Sequence, residues 1–147
     1  MIMNNLNFDK YQHEINKYVN DLAAQLGHPQ EKRRSLIIWK AVMHTIRDRI
    51  HLSESFDLIS QLPLILKGIY VDQWRYSESP SKDYETIREM TEEVEKLQAH
   101  YGEEDFDWNI STEEIISRTM DSLKAYFSEG QLEHIKSQLP AEVKDLV

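Results

Sequence analysis

The chain contains no cysteine, and glycine and proline occur only four times each among its 147 residues. The lack of cysteine excludes disulfide bonds, thiolate metal sites and cysteine nucleophiles. With so few glycines, the loops that hold phosphates or dinucleotides could hardly be built, and none of their motifs occurs. The sequence also lacks an apolar run near the roughly 20 residues that cross a bilayer, and a signal peptide. We therefore expect a cytoplasmic protein that does not bind membranes.

Negative charge is concentrated in the second half of the chain. The whole sequence has a net charge of −9, to which residues 1–74 contribute +1 and residues 75–147 contribute −10. Such an acidic surface repels phosphate backbones and tends to keep a protein in solution. Nucleic-acid binding is therefore only a further alternative, and it rests on one basic cluster, Lys32, Arg33 and Arg34.

Apolar residues recur three and four positions apart over long stretches, which is the period of a helix face. One such stripe runs over residues 8–26 and ends at Gly27, and another runs over residues 84–101 and ends at Gly102. Glycine can take the left-handed conformation that ends many helices. We find no convincing alternation of apolar and polar residues, so the pattern predicts an all-α fold without strands.

The two halves of the sequence repeat one pattern. The letters Ser-Gln-Leu-Pro occur at residues 60–63 and again at residues 137–140. The shift between these copies also aligns four apolar positions of one half with four of the other: Trp39 with Ile116, Met43 with Met120, Ile46 with Leu123, and Ile50 with Phe127. The sequence therefore predicts a tandem duplication of a unit of two long helices followed by two short ones.

We expect the two repeats, residues 8–74 and 83–147, to pack as a single bundle-like domain over residues 1–147. A unit of this size would be only marginally stable alone, because so small a chain buries a small fraction of its surface. The polar, serine-rich segment of residues 75–82 is the predicted linker. The helix after Pro63 is the predicted seam between the repeats, because its apolar positions exceed what a short helix needs.

Local signals place several helix ends. The residue before a proline avoids helical geometry, so Leu62 and Leu139 should each end a short helix with the leucine pointing into the core. Ser53 and Ser128 are the predicted caps of the short helices before these corners, and Ser111 is the predicted cap of a longer helix.

Three features together resemble the bacterial family catalogued as domain of unknown function 2267. They are Leu26-Gly27 at the end of the first stripe, the Gln-Leu-Pro corner, and the aromatic segment from Tyr70 to Trp74. The resemblance covers residues 8–147 and includes the second Gln-Leu-Pro. Family members commonly carry Gly-Glu-Ala-like letters before the corner, where this chain has Ser53-Glu54-Ser55 and Glu129-Gly130-Gln131. The resemblance implies an all-helical protein, and it brings no established activity or functional residues.

One candidate metal site follows from helical spacing. His44, Asp48 and His51 lie at positions i, i+4 and i+7, so they would project from one helix face and could hold a divalent cation. The alternative is an ordinary polar helix face, and Arg47 and Arg49 beside these residues oppose a cation. We expect no bound metal and no cofactor.

Two acidic features have ordinary explanations. The segment from Asp105 to Asn109 matches the first ligands of a calcium loop, but isoleucines stand where the loop needs its glycine and its glutamate. Glu92-Glu93 and Glu103-Glu104 could suggest general acid–base chemistry. They lie on a strongly charged stretch, where solvation should leave them without a catalytic role.

Two clusters are candidates for binding a partner. Lys32, Arg33 and Arg34 form either a solvated face or a docking patch for an acidic partner, which includes the acidic half of a second copy. The aromatic cluster of Tyr70, Trp74 and Tyr76 becomes a binding surface if its members are exposed together, and part of the core otherwise.

The leading hypothesis is a protein-interaction module without catalysis, whose partner is an unknown protein or a second copy. The alternative is a metal- or carboxylate-dependent enzyme that acts on a small molecule. A deep polar pocket around His44, His51 or the acidic pairs would favour the enzyme, and a shallow apolar groove would favour binding.

Overall fold

The computed structural model describes residues 7–75 and 79–146, and all regular elements in these two ranges are helical. The α-helices are α1 (Phe8–Gln25), α2 (Lys32–Arg47), α3 (Leu52–Gln61), α4 (Leu64–Val71), α5 (Ile87–His100), α6 (Thr112–Ser122) and α7 (Glu129–Lys136). Short 3₁₀ helices follow at Leu123–Ala125 and Ala141–Leu146. The prediction of an all-α fold is confirmed.

α1 and α5 end in the same way. Gly27 and Gly102 follow their last turns with φ of +83° and +103°. In both cases the amide after the glycine bonds to the carbonyl five residues earlier: His28 N to Ala23 O at 2.9 Å, and Glu103 N to Gln98 O at 2.8 Å. This is a Schellman ending, which satisfies carbonyl groups that the helix leaves without a partner.

The long helices form the core and join the two halves. α2 packs against α1, α5 and α6, and α6 packs against α1 and α5. Under the predicted repeat, α1 corresponds to α5 and α2 corresponds to α6. The α1–α6 contact then corresponds to the α2–α5 contact, and the α1–α2 contact to the α5–α6 contact. Trp39 and Met43 of α2 and Ile116 and Met120 of α6 are all fully buried. The duplication itself stays a prediction.

A chain of buried hydrogen bonds ties α1, α2 and α6 together. The indole N–H of Trp39 donates to the hydroxyl oxygen of Tyr18 at 2.9 Å. The Tyr18 hydroxyl bonds to Ser122 Oγ, which in turn donates to the carbonyl of Thr119. Each donor in this chain has an acceptor, so the burial of these polar side chains costs little free energy.

The prediction that the helix after Pro63 forms the seam is wrong. α4 packs on α1 and α2 of its own half, whereas the contacts across the halves come from the long helices. Leu66 and Tyr70 point inward from α4, but Leu64, Ile65 and Val71 are exposed. The inward residues of α4 therefore mainly cover its own half.

The helix ends follow the sequence in part. Ser111 and Ser128 cap α6 and α7, and Leu62 ends α3, as predicted. Ser53 is not a cap, because α3 begins at Leu52 and Ser53 lies within its first turn. Tyr84 lies before α5 and is buried there. Across the described ranges, no helix is both long and apolar enough to cross a membrane.

Candidate functional site

His44 is buried in α2 with both of its ring nitrogens in hydrogen bonds. Nε2–H donates to the carbonyl of Ile69 at 2.8 Å, which leaves Nδ1 to accept from the Tyr101 hydroxyl at 2.7 Å. Burial, and then the charge of Arg47, lower the pKa of His44 to about 4. This neutral imidazole has no free nitrogen to offer a metal.

Asp48 and His51 are placed apart from this arrangement. Asp48 accepts a hydrogen bond from Arg47 Nε at 3.2 Å. His51 is exposed just before α3, and its backbone N–H donates to Gln138. Within residues 7–75 and 79–146, no group of three or more histidine and acidic residues could hold a metal ion.

The basic cluster lies at the start of α2. Lys32, Arg33 and Arg34 are all exposed, and Arg34 also makes several contacts. Its Nε lies 3.5 Å from a Glu31 oxygen, and its guanidinium lies 4.4 Å from the centre of the Phe106 ring. The structure therefore keeps the three basic residues together, with Arg34 partly neutralised by its surroundings.

Two residues of the aromatic cluster, Tyr70 and Trp74, lie in or against the core. Tyr70 is fully buried, and its hydroxyl bonds to Ser55 Oγ at 2.8 Å, so this residue is part of the core. Trp74 is half-buried and packs edge-on against Tyr70, with 5.8 Å between ring centres. Tyr76 lies outside the described residues.

A groove that the sequence did not reveal lies between α3 and α7. Its volume is about 600 Å³. Three buried apolar residues form its floor: Leu58, Phe127 and Ile135. Polar residues and a glycine form its sides, from both helices and the turn before α7: Glu54, Asp57, Ser60, Gln61, Ser128, Gly130, Gln131 and His134. The groove therefore combines an apolar floor with a polar rim.

One polar pair crosses this groove. Glu54 Oε2 lies 2.9 Å from His134 Nε2, with Glu54 buried on α3 and His134 exposed on α7. The lining residues include a second carboxylate, Asp57, and no lysine or arginine. The rim therefore favours a cationic group over an anionic one.

The predicted repeat relates the two walls of the groove. The shift that aligns the two Ser-Gln-Leu-Pro copies also pairs three lining residues of α3 with three of α7: Glu54 with Gln131, Asp57 with His134, and Leu58 with Ile135. These three pairs can be read from the alignment of the two repeats in the sequence. It did not show that α3 and α7 face each other, because that depends on how the long helices pack.

The sequence model of a family described as uncharacterised conserved protein, domain of unknown function 2267, matches residues 15–146. The chain belongs to this family. This match confirms the family resemblance that the Gln-Leu-Pro corner and the aromatic segment from Tyr70 to Trp74 indicated. No curated protein matches the DUF2267 chain. The matched range includes both walls of the groove, α3 and α7.

Proposed function

We propose that this DUF2267 chain is a protein-interaction module without catalysis, which holds an amphipathic helix of a partner protein between α3 and α7. The observation that carries this proposal is the groove of about 600 Å³, with its apolar floor and acidic rim. Partner helices bind such grooves through apolar side chains spaced three, four and seven residues apart. We expect the interaction to take place in the cytoplasm.

The charged residues that line the groove between α3 and α7 indicate which charge the partner helix should carry. Glu54 and Asp57 lie beside the apolar floor, so the partner helix should carry lysine or arginine next to its apolar face. The partner is then a basic amphipathic helix of another protein. A second copy of this chain would instead have to present its basic cluster, in which Arg34 is already engaged by Glu31 and Phe106.

Selection of binders from a displayed library of helical peptides of about 15 residues, near the length at which isolated helices become stable, tests the proposal. We expect the selected peptides to combine a helical apolar stripe with lysine or arginine. Their affinity should fall as salt is added. Selected peptides that are acidic, or a failure to select any, would contradict the proposal.

A matched pair of variants locates the binding site. Gly130 lines the groove and Gly68 lies on the exposed face of α4. A Cβ added at Gly68 meets nothing within 4 Å, and one added at Gly130 meets only Ser128 Oγ at 4.0 Å. Gly130→Trp should fill the groove and abolish peptide binding, whereas Gly68→Trp should leave it unchanged. If the two variants bind the peptide equally well, the peptide binds outside the groove. Sedimentation of wild type with and without peptide distinguishes the partner helix from self-association.

The Glu54–His134 pair favours a second candidate function, an enzyme that uses a carboxylate-oriented imidazole. A carboxylate within hydrogen-bond reach of an imidazole is the arrangement that general acid–base catalysis uses. Activated esters and phosphodiesters are suitable test substrates. Turnover that both His134→Asn and Glu54→Gln abolish would favour the enzyme, and turnover that neither changes would exclude the pair from catalysis.

A further inference from the structure

The contact that crosses the groove between α3 and α7 joins a carboxylate to a histidine. Glu54 Oε2 on α3 lies 2.9 Å from His134 Nε2 on α7. The third ionisable residue that lines the groove is Asp57, one turn after Glu54 on α3. Histidine is the residue type whose charge ordinarily changes between pH 5 and pH 8. A change of pH in this range therefore acts on the groove through His134.

The geometry of the contact suits both protonation states of His134. A carboxylate only accepts hydrogen bonds, so Nε2 carries a hydrogen and donates it to Glu54 Oε2. In acid the second proton binds to Nδ1, and water can deliver it because the His134 side chain is 66% exposed. The hydrogen bond of the neutral imidazole then becomes an ion pair with Glu54.

Protonation of His134 reduces the negative charge of the groove by half. The lining residues include Glu54 and Asp57 but no lysine or arginine, so they carry a charge of −2 when His134 is neutral and −1 when it is protonated. A lysine or arginine of the partner helix that approaches Glu54 also comes close to the imidazolium. Like charges brought together in an interface weaken binding. Acid therefore disfavours a basic partner.

The other charged residues near α7 do not carry this dependence on pH. Lys136 Nζ lies 3.6 Å from Glu133 on the same helix, and Arg49 donates to the carbonyl of Gln138 after its end. Lysine and arginine stay charged throughout this range of pH. His51 is a second histidine close to α7, since its backbone N–H donates to Gln138 Oε1, but it does not line the groove. His51 is therefore a matched control for His134.

We propose that the Glu54–His134 contact is a pH-dependent switch, through which the groove releases its basic partner helix in acid. This inference rests on the proposed function, because it describes how binding in the same groove is regulated. When His134 is neutral, a cation of the partner is the only positive charge beside Glu54 in the groove. When His134 is protonated, the imidazolium and the partner compete for this carboxylate. Partner binding and protonation therefore each weaken the other by the same factor.

A peptide selected on the protein at pH 8 is the probe. The library for this experiment contains only lysine, arginine and uncharged residues, with blocked ends, so that the peptide itself does not titrate between pH 5 and pH 8. We expect the affinity to be about fivefold weaker, or more, at pH 5.5 than at pH 8, which is the usual size of a coupling between two sites. Circular dichroism at pH 5.5 shows that the helices are retained. Equal affinity at the two pH values overturns the switch.

Substitutions of His134 separate its charge from its shape. His134→Asn stays neutral, so its affinity for the peptide should be the same at both pH values. His134→Lys keeps a positive charge and should bind weakly at both. His51→Asn should lose affinity in acid as the wild type does. If His134→Asn also loses affinity in acid, the effect belongs to another group and the proposal is wrong.

Calorimetry measures the coupling between the proton and the peptide directly. Near pH 6.5, where histidine is ordinarily half protonated, peptide binding should release a fraction of one proton from the wild type. Titrations in buffers with different enthalpies of ionisation give this number. His134→Asn should release none and His51→Asn should release as much as the wild type. A wild type that releases no proton, or takes one up, contradicts the switch.

The proposed function and the switch fail in different ways. A peptide that binds equally well in acid, and that Gly130→Trp does not bind, leaves the groove as the partner site and overturns only the switch. If no peptide is selected, or if Gly130→Trp binds the peptide as the wild type does, both proposals are wrong. Amide spectra of each variant show whether its fold is retained.

Discussion

His44 makes the stability of the protein depend on pH. Its imidazole is fully buried and neutral, with a pKa of about 4, whereas an exposed histidine has a pKa near 6.5. The unfolded chain therefore takes up a proton at a higher pH than the folded protein does. The contribution of His44 is complete above pH 6.5 and is lost as the pH falls toward 4.

We expect this residue to lower the free energy of unfolding by about 3 kcal/mol between pH 6.5 and pH 4. Urea denaturation at several pH values measures the dependence. His44→Gln is less stable at neutral pH, and its stability should fall less steeply in acid than that of the wild type. Parallel curves for the two proteins would contradict the assignment.

Two buried threonines offer a second test at the same scale. Thr119 Oγ1 is buried in α6 without a partner in the described ranges, whereas Thr45 Oγ1 donates to the carbonyl of Ala41 at 2.8 Å. Thr119→Val removes an unsatisfied polar atom and should raise the free energy of unfolding by about 1 kcal/mol. Thr45→Val loses a hydrogen bond and should lower it by about the same amount. Thermal or urea unfolding of both variants compares them directly, and a loss of stability in Thr119→Val would show that its hydroxyl has a partner.

The roles of individual residues were the hardest part to predict from the sequence. The spacing of His44 and His51 on a predicted helix is a local property. The partners of His44 come from Ile69 and Tyr101, which are 25 and 57 residues away along the chain. Only the packing of α2 against α4 and α5 brings them to the imidazole.

A glycine within a helix, Gly130, and a glycine that follows one, Gly27, should respond in opposite ways to substitution by alanine. Gly130 lies within α7 with only Ser128 Oγ near an added Cβ, at 4.0 Å. Gly130→Ala should stabilise the protein by about 0.5–1 kcal/mol, because glycine has more conformational freedom to lose. Gly27 has a φ of +83°, so Gly27→Ala should destabilise it by about 1 kcal/mol or more. Thermal unfolding measures both, and the same sign of change for the two would contradict the geometry.

Helices were easier to predict than their starting points. Ser111 and Ser128 act as caps because a side-chain oxygen followed by a helical stripe is a local signal. The true cap of α5 is Thr86, which accepts from the amide of Glu89 at 3.1 Å. In the sequence, Tyr84 extends the apolar stripe of α5 toward the amino terminus, so the stripe places the start of the helix before Thr86. The Tyr84 hydroxyl donates to the carbonyl of Thr45 from the segment before α5, so packing in the core determines its position.

The two halves of the molecule share one core. α1 packs against α6 and α2 packs against α5, and the Tyr18 hydroxyl bonds to Ser122 across the halves. We expect fragments of residues 8–74 and 83–147 to show little helix separately and to recover it when mixed in equal amounts. Far-ultraviolet circular dichroism measures both states. Cooperative unfolding of either fragment alone would show that the halves are independent.

Apolar periodicity predicts which face of each helix is buried, but it does not name the helix that covers it. The sequence therefore predicts an all-α fold from the stripes and leaves the pairing of α3 with α7 open. The groove between them depends on that pairing, and so does the contact of Glu54 with His134.

The bond between Tyr18 and Ser122 has a consequence for synthesis on the ribosome. These residues are 104 positions apart, so at about 5–20 residues per second the first waits roughly 5–20 s for the second to be made. During that interval the apolar surfaces of α1 and α2 that pack on α5 and α6 have no partner. Chaperones that bind exposed apolar segments should therefore engage this protein early in translation and release it only after the carboxy-terminal half has left the exit tunnel.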